Sequence, residues 1–162
     1  IEQQERWFRY VTDEPLPNVR HNDQQMFITT GCSMGGFHAA NFFFRRPDLF
    51  NGMLAMSGLY HASYGFDGYM DGLVYENSPQ DFLQQMPSDH PWMQAYRQSK
   101  IVFCVGQGRW EDDLLWSTRE MDRILKEKGV NNAWFDYWGH DVDHDWPFWR
   151  RQVPYFFDKI LQ

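Results

Sequence analysis

Ser33, the acidic run Glu111-Asp112-Asp113 and two histidines, His140 and His144, are the side-chain types that acyl-transfer chemistry needs. A serine hydroxyl is a poor nucleophile at neutral pH. It becomes a good one when an imidazole takes its proton, and the imidazole needs a carboxylate to fix its tautomer and stabilise the cation that forms. Ser33 stands at the centre of Gly31-Cys32-Ser33-Met34-Gly35, which fits G-x-S-x-G. In that pattern a strand folds sharply into a helix at the serine, and the glycines leave room for the turn. The turn strains the Ser33 backbone, projects its hydroxyl, and sets the Met34 N–H at a helix N-terminus, where it can bind a developing oxyanion. Gly and Ser are common, so the pattern takes its weight from its surroundings.

Those surroundings are the elements that position the three groups. Residues 25–30, rich in apolar and β-branched types, read as a strand buried on both faces of a parallel sheet, and residues 36–44 as a helix ended by Pro47. A third glycine, Gly36, allows the helix to pack closely on the sheet. Residues 2–11 form an amphipathic helix that Pro15 and Pro17 break, followed by a polar connector over 18–23. Further strands are expected over 50–58, 100–108 and 132–138, and further helices over 114–128, with Gly129 as C-cap, and 147–160. Residues 59–98 are too long for a simple connection and too aromatic for a solvated loop. They are read as an insertion that walls a substrate pocket, with Ser78 capping a helix that opens at Pro79.

Strands separated by helices imply an α/β fold with a parallel sheet and flanking helices, and ligands bind such sheets beyond the carboxyl ends of the strands. Ser33, the acidic run and the two histidines each follow a strand, so all three side-chain types arrive at one edge of the sheet. Their chain order, Ser then acid then His, is that expected of an α/β-hydrolase.

The 162 residues suffice for one domain with a real core. Aromatics make up 19%, including eight Trp, which suits a packed enzyme with an aromatic-lined pocket. A net charge of -7 argues against nucleic acid or an anionic membrane as partner. No apolar run approaches the ~20 residues of a membrane span. Cys32 and Cys104 read as free buried thiols, which favours a reducing, cytoplasmic setting. His140 and His144 with Asp141, Asp143 and Asp145 are metal-ligand types, but no Glu follows the first His, and Gly139 and Pro147 argue against a helix there. No metal and no cofactor is assigned.

The chain resembles the "Putative esterase" family of α/β-hydrolases, which includes esterase D, feruloyl esterases and the antigen 85 acyltransferases. The resemblance lies in Gly31-Cys32-Ser33-Met34-Gly35-Gly36, Ser57-Gly58-Leu59-Tyr60, Asn77-Ser78-Pro79, Gly106-Gln107-Gly108-Arg109-Trp110-Glu111 and His144-Asp145-Trp146-Pro147-Phe148-Trp149-Arg150, in family order. It implies Ser33 as nucleophile and His144 as base. Position alone favours His140, which follows the fourth strand more directly; the similarity of the last motif decides for His144. Counting three residues on from Gly108 gives Glu111 as the acid, while aligning the downstream leucine pair and Thr118-Arg119 gives Asp112. Glu111 is preferred, and Asp113 is read as solvated. Cys32, Tyr60, Trp110 and Trp146, beside these motif residues, are the candidates for contact with substrate. The function implied is a serine hydrolase that cleaves a small-molecule carboxylic ester through an acyl-enzyme. An acyltransferase using the same intermediate and a non-catalytic binding domain are the alternatives.

Family members carry strands that precede the nucleophile strand, and a loop that gives a second oxyanion N–H. Neither is found in this sequence, which corresponds to the C-terminal part of the fold. The strand over 25–30 would then be an exposed edge. An N-terminal segment, a second chain or a second copy is expected to complete the sheet.

Overall fold

The computed structural model describes residues 1–162. Four parallel strands, β1 (Ile28–Cys32), β2 (Gly52–Met56), β3 (Lys100–Val105) and β4 (Trp134–Tyr137), lie side by side in that order. In register, Thr30 stands opposite Leu54, Leu54 opposite Val102, and Val102 opposite Trp134. Parallel neighbours need a crossover between them, and helices supply it.

Alternation along the strands sorts the core into two layers. Met53, Ala55, Ile101 and Phe103 pack with Phe43 and Phe44 of α3 (Met34–Arg45) and with Met121, Ile124 and Leu125 of α7 (Asp112–Glu127). Leu54, Met56, Val102 and Cys104 face the opposite side, against Trp149, Phe156 and Ile160 of α8 (Trp146–Ile160). Central β2 is buried throughout, as a strand covered on both faces must be. Helix α7 ends as expected at Gly129, whose φ of 71° lets Val130 N–H reach the Leu125 carbonyl (2.9 Å) and Gly129 N–H reach that of Lys126 (3.0 Å).

Four expectations change. Strand β1 starts at Ile28 and is half-buried rather than covered on both faces, because only β2 pairs with it and it forms the sheet edge. Pro15 and Pro17 do end α1 (Glu2–Asp13), but Pro15 also opens a second short helix, α2 (Pro15–Val19), since its fixed φ suits a first helical position. Residues 59–98 do more than wall a pocket: they also send side chains into the core. They form a 3-10 turn (Ala62–Phe66) and helices α4 (Gly72–Glu76), α5 (Pro79–Gln85) and α6 (Pro91–Gln98), whose Leu83, Met93 and Tyr96 join Phe43 and Phe44 in the interior. Only the start of this stretch reaches Ser33. Ser78 occupies the N-cap position of α5, yet its hydroxyl donates to the Asp81 carboxylate and accepts from Ala62 N–H (2.9 Å) instead of capping the helix. No helix is long and apolar enough to cross a membrane.

Candidate active site

The turn between β1 and α3 is built around two close approaches. A Cβ on Gly31 would lie 2.3 Å from the Gly35 carbonyl oxygen, and one on Gly36 would lie 2.7 Å from that of Met56. Gly35, by contrast, has open space where a Cβ would project. Ser33 itself has φ 57°, unfavourable for a residue with a side chain, and is tied to β2 by its N–H to the Met56 carbonyl at 2.9 Å. Its own carbonyl accepts from Gly36 and Phe37 N–H as α3 begins. The Met34 N–H is the first of that helix and has no carbonyl four residues back to bond within it.

His144 is delivered by a loop that docks on the loop after β3. Gly108 N–H donates to the Val142 carbonyl (2.9 Å), Arg109 N–H to Asp143 Oδ1 (2.7 Å), and His144 N–H to the Arg109 carbonyl (3.0 Å). Glycine is needed at 106 and 108, because a Cβ at these positions would come within 2.2 Å and 2.7 Å, respectively, of the Val142 carbonyl oxygen. The two loops therefore carry base and acid as one unit.

Within that unit His144 Nε2 is 2.9 Å from Ser33 Oγ, and His144 Nδ1 is 3.5 Å from Glu111 Oε2. Glu111 is 1% exposed. Its other oxygen, Oε1, accepts the Ser57 hydroxyl at 2.7 Å, and Ser57 Oγ accepts the Trp149 indole N–H at 3.3 Å. The Trp149 ring also stands edge-on to the His144 ring, centroids 4.9 Å apart. Imidazole, carboxylate and hydroxyl in this line can move a proton off Ser33 and stabilise the resulting imidazolium.

Of the sequence candidates, Ser33, His144 and Glu111 come together. Asp112 does not: it is exposed in the first turn of α7. Asp113 is exposed as well and accepts the Tyr64 hydroxyl (2.7 Å). His140 is exposed, with Nδ1 3.2 Å from the Gln107 carbonyl. No group of three or more His, Cys, Asp or Glu is placed to hold a metal ion.

A cavity of about 500 Å³ opens beside Ser33, walled by Phe37, His38, Leu59, His61, Phe66 and Leu114, with Ile1 and Gln4 at its edge. Burial pushes the His38 imidazole below its ordinary pKa, which favours the neutral ring. None of the four residues proposed for substrate contact lines this cavity. Tyr60 is fully buried, edge-on to Phe103. Cys32 and Trp146 line a separate groove between β1 and α8, and burial pushes the Cys32 thiol up in pKa. Trp110, at φ 67°, projects into solvent beside Arg109 and Asp113. Adjacency in sequence to a catalytic motif placed these side chains near the site but did not set their direction. Sequence reasoning also missed Ser57 and Trp149, which appear in the motifs but carry no local signal that they meet at Glu111.

A family model described as "Putative esterase" matches residues 2–157. The chain belongs to that family. Its fold is of the α/β-hydrolase type, shared with solved structures at low identity. A ferulic acid esterase superposes with a TM-score of 0.70 at 23% identity, over 94% of this chain and 58% of its own. FphF, a fluorophosphonate-binding serine hydrolase of Staphylococcus aureus, gives 0.69 at 15%, over 98% and 63%. The capsule O-acetyltransferase of Neisseria meningitidis serogroup A gives 0.65 at 10%, over 96% and 64%. The chain thus spans about three-fifths of the length of these structures. No curated protein matches the sequence.

Proposed function

We propose that this esterase-family chain carries the catalytic residues of a serine hydrolase that cleaves a small-molecule carboxylic ester through an acyl-enzyme on Ser33. The observation that carries the reading is the Ser33 Oγ–His144 Nε2 distance of 2.9 Å, with Glu111 against the other imidazole nitrogen. Ser33 Oγ attacks the ester carbonyl while His144 Nε2 takes the hydroxyl proton. Glu111 Oε2 faces the imidazolium so formed, and Met34 N–H donates to the oxyanion. Collapse of the tetrahedral intermediate releases the alcohol, which takes the proton from His144, and water repeats the sequence on the acyl-enzyme. The 500 Å³ cavity beside Ser33 holds one of the two ester substituents.

One oxyanion donor leaves the transition state underserved, since each is worth about 2.7–4 kcal/mol. A segment pairing with the outer edge of β1, from a preceding part of the polypeptide or from a second chain or copy, would complete the sheet and bring the second donor. The free thiols of Cys32 and Cys104 fit a reducing, cytoplasmic setting.

A fluorophosphonate probe tests the reading. Labelling of the full chain that disappears in Ser33→Ala is the expected result. Absence of labelling in the full chain overturns it and leaves a hydrolase-like domain kept for binding. Hydrolysis is separated from acyl transfer by adding an alcohol acceptor during ester turnover: acid as the main product supports the hydrolase, and a new ester as the main product supports a transferase.

A further inference from the structure

We propose that Ser57 is the positioning residue of the Glu111 carboxylate, and that the Trp149 indole sets the direction of the Ser57 hydroxyl. The proposal rests on the roles given above to Ser33, His144 and Glu111. An indole N–H is a donor only, so at 3.3 Å it must be received by a lone pair of Ser57 Oγ. The single hydroxyl proton of Ser57 is then free to point at Glu111 Oε1, 2.7 Å away. With Oε1 bonded, Oε2 is the oxygen left to face His144 Nδ1. Ser57 is fully buried and Glu111 and Trp149 nearly so, so water does not compete for these bonds.

The backbone supports the same assignment. Ser57 has φ 49°, a conformation that glycine adopts without strain and serine does not. Its N–H continues the sheet to the Cys104 carbonyl (2.7 Å) while the chain turns away from β2. A glycine would serve that turn better. The hydroxyl is what a serine adds there, and Glu111 is where it goes. Trp149 in addition stands edge-on to the His144 ring, so one indole borders both the acid's support and the base.

The test measures fluorophosphonate labelling rates of Ser33 in the full chain, with thermal melting alongside, for the parent, Ser57→Ala, Ser57→Gly, Trp149→Phe, Glu111→Gln and the Ser57→Gly/Glu111→Gln double variant. Loss of a hydrogen bond to a charged group predicts labelling about 10- to 100-fold slower in Ser57→Gly. Its melting temperature is expected to be no lower than that of Ser57→Ala, because glycine relieves the positive φ. Trp149→Phe keeps a ring and loses a neutral donor, so it slows labelling about 2- to 10-fold. In the Glu111→Gln background Ser57→Gly adds less than about threefold, since residues acting through one group are not additive. The proposal is overturned by a Ser57→Gly rate within twofold of the parent, or by equal slowing in both backgrounds. Parental rate in Trp149→Phe overturns the part given to the indole. A parent left unlabelled at Ser33 overturns the enzyme reading, and this proposal with it.

Discussion

Replacing Glu111 by Gln removes one negative charge from a nearly buried position without changing the side chain's size. In the parent, Oε2 lies 3.5 Å from His144 Nδ1. For a unit charge pair at that separation and an effective dielectric constant near 20, the attraction is roughly 5 kcal/mol. The attraction exists only once His144 carries the proton taken from Ser33, so its loss falls on the transition state and not on the resting protein. About 10³-fold in kcat/KM is therefore expected, with substrate binding little changed. Asp112→Asn is the matched control, because Asp112 is the neighbouring carboxylate yet is exposed in the first turn of α7. There the charge is screened by water and the expected loss is less than about threefold. Turnover of p-nitrophenyl acetate by the two variants, with thermal melts to show that both remain folded, is the measurement. A Glu111→Gln rate within tenfold of the parent, or an equal loss in Asp112→Asn, refutes the reasoning.

Gly31→Ala drives a Cβ to within 2.3 Å of a backbone oxygen that cannot move aside, so a loss of about 1–3 kcal/mol and a fall of several degrees in Tm are expected. Gly35→Ala meets open space in a helical first turn and should leave Tm unchanged or raise it; calorimetry of both variants decides, and equal Tm losses would contradict the account of the turn. His38 sets a pH dependence. Its folded pKa lies below the ordinary 6.5 because burial disfavours the imidazolium, so the unfolded chain binds the extra proton first as pH falls. Its contribution is complete above about pH 6.5 and is lost as pH drops towards the folded pKa. His38→Gln should flatten the Tm profile between about pH 7 and 5, and profiles that stay parallel would remove His38 as a cause.

What the sequence determined by itself is local. Gly31, Ser33 and Gly36 fix a strand, a strained turn and a helix within a dozen residues, because their steric demands act on immediate neighbours. The four strands and the helices between them follow from apolar runs and from punctuation such as Gly129, and they oblige the sheet to be parallel. Which carboxylate meets His144 was not legible, since Glu111 and Asp112 are adjacent and differ only in direction. One points inward from the N-cap of α7, and the other, one helical position on, points to water. His144 rather than His140 reaches Ser33 because two loops dock through Gly106 and Gly108, a contact that no spacing along the chain expresses. Tyr60 turned into the core for the same kind of reason: its ring stands edge-on to that of Phe103, 43 residues further along the chain, a contact that only the packing sets. Ser57 and Glu111 are 54 residues apart, and Ser57 and Trp149 are 92 apart. Bonds of that span join the end of β2 to helices on the two opposite faces of the sheet, α7 on one and α8 on the other, so they exist only once the sheet and its helices have assembled.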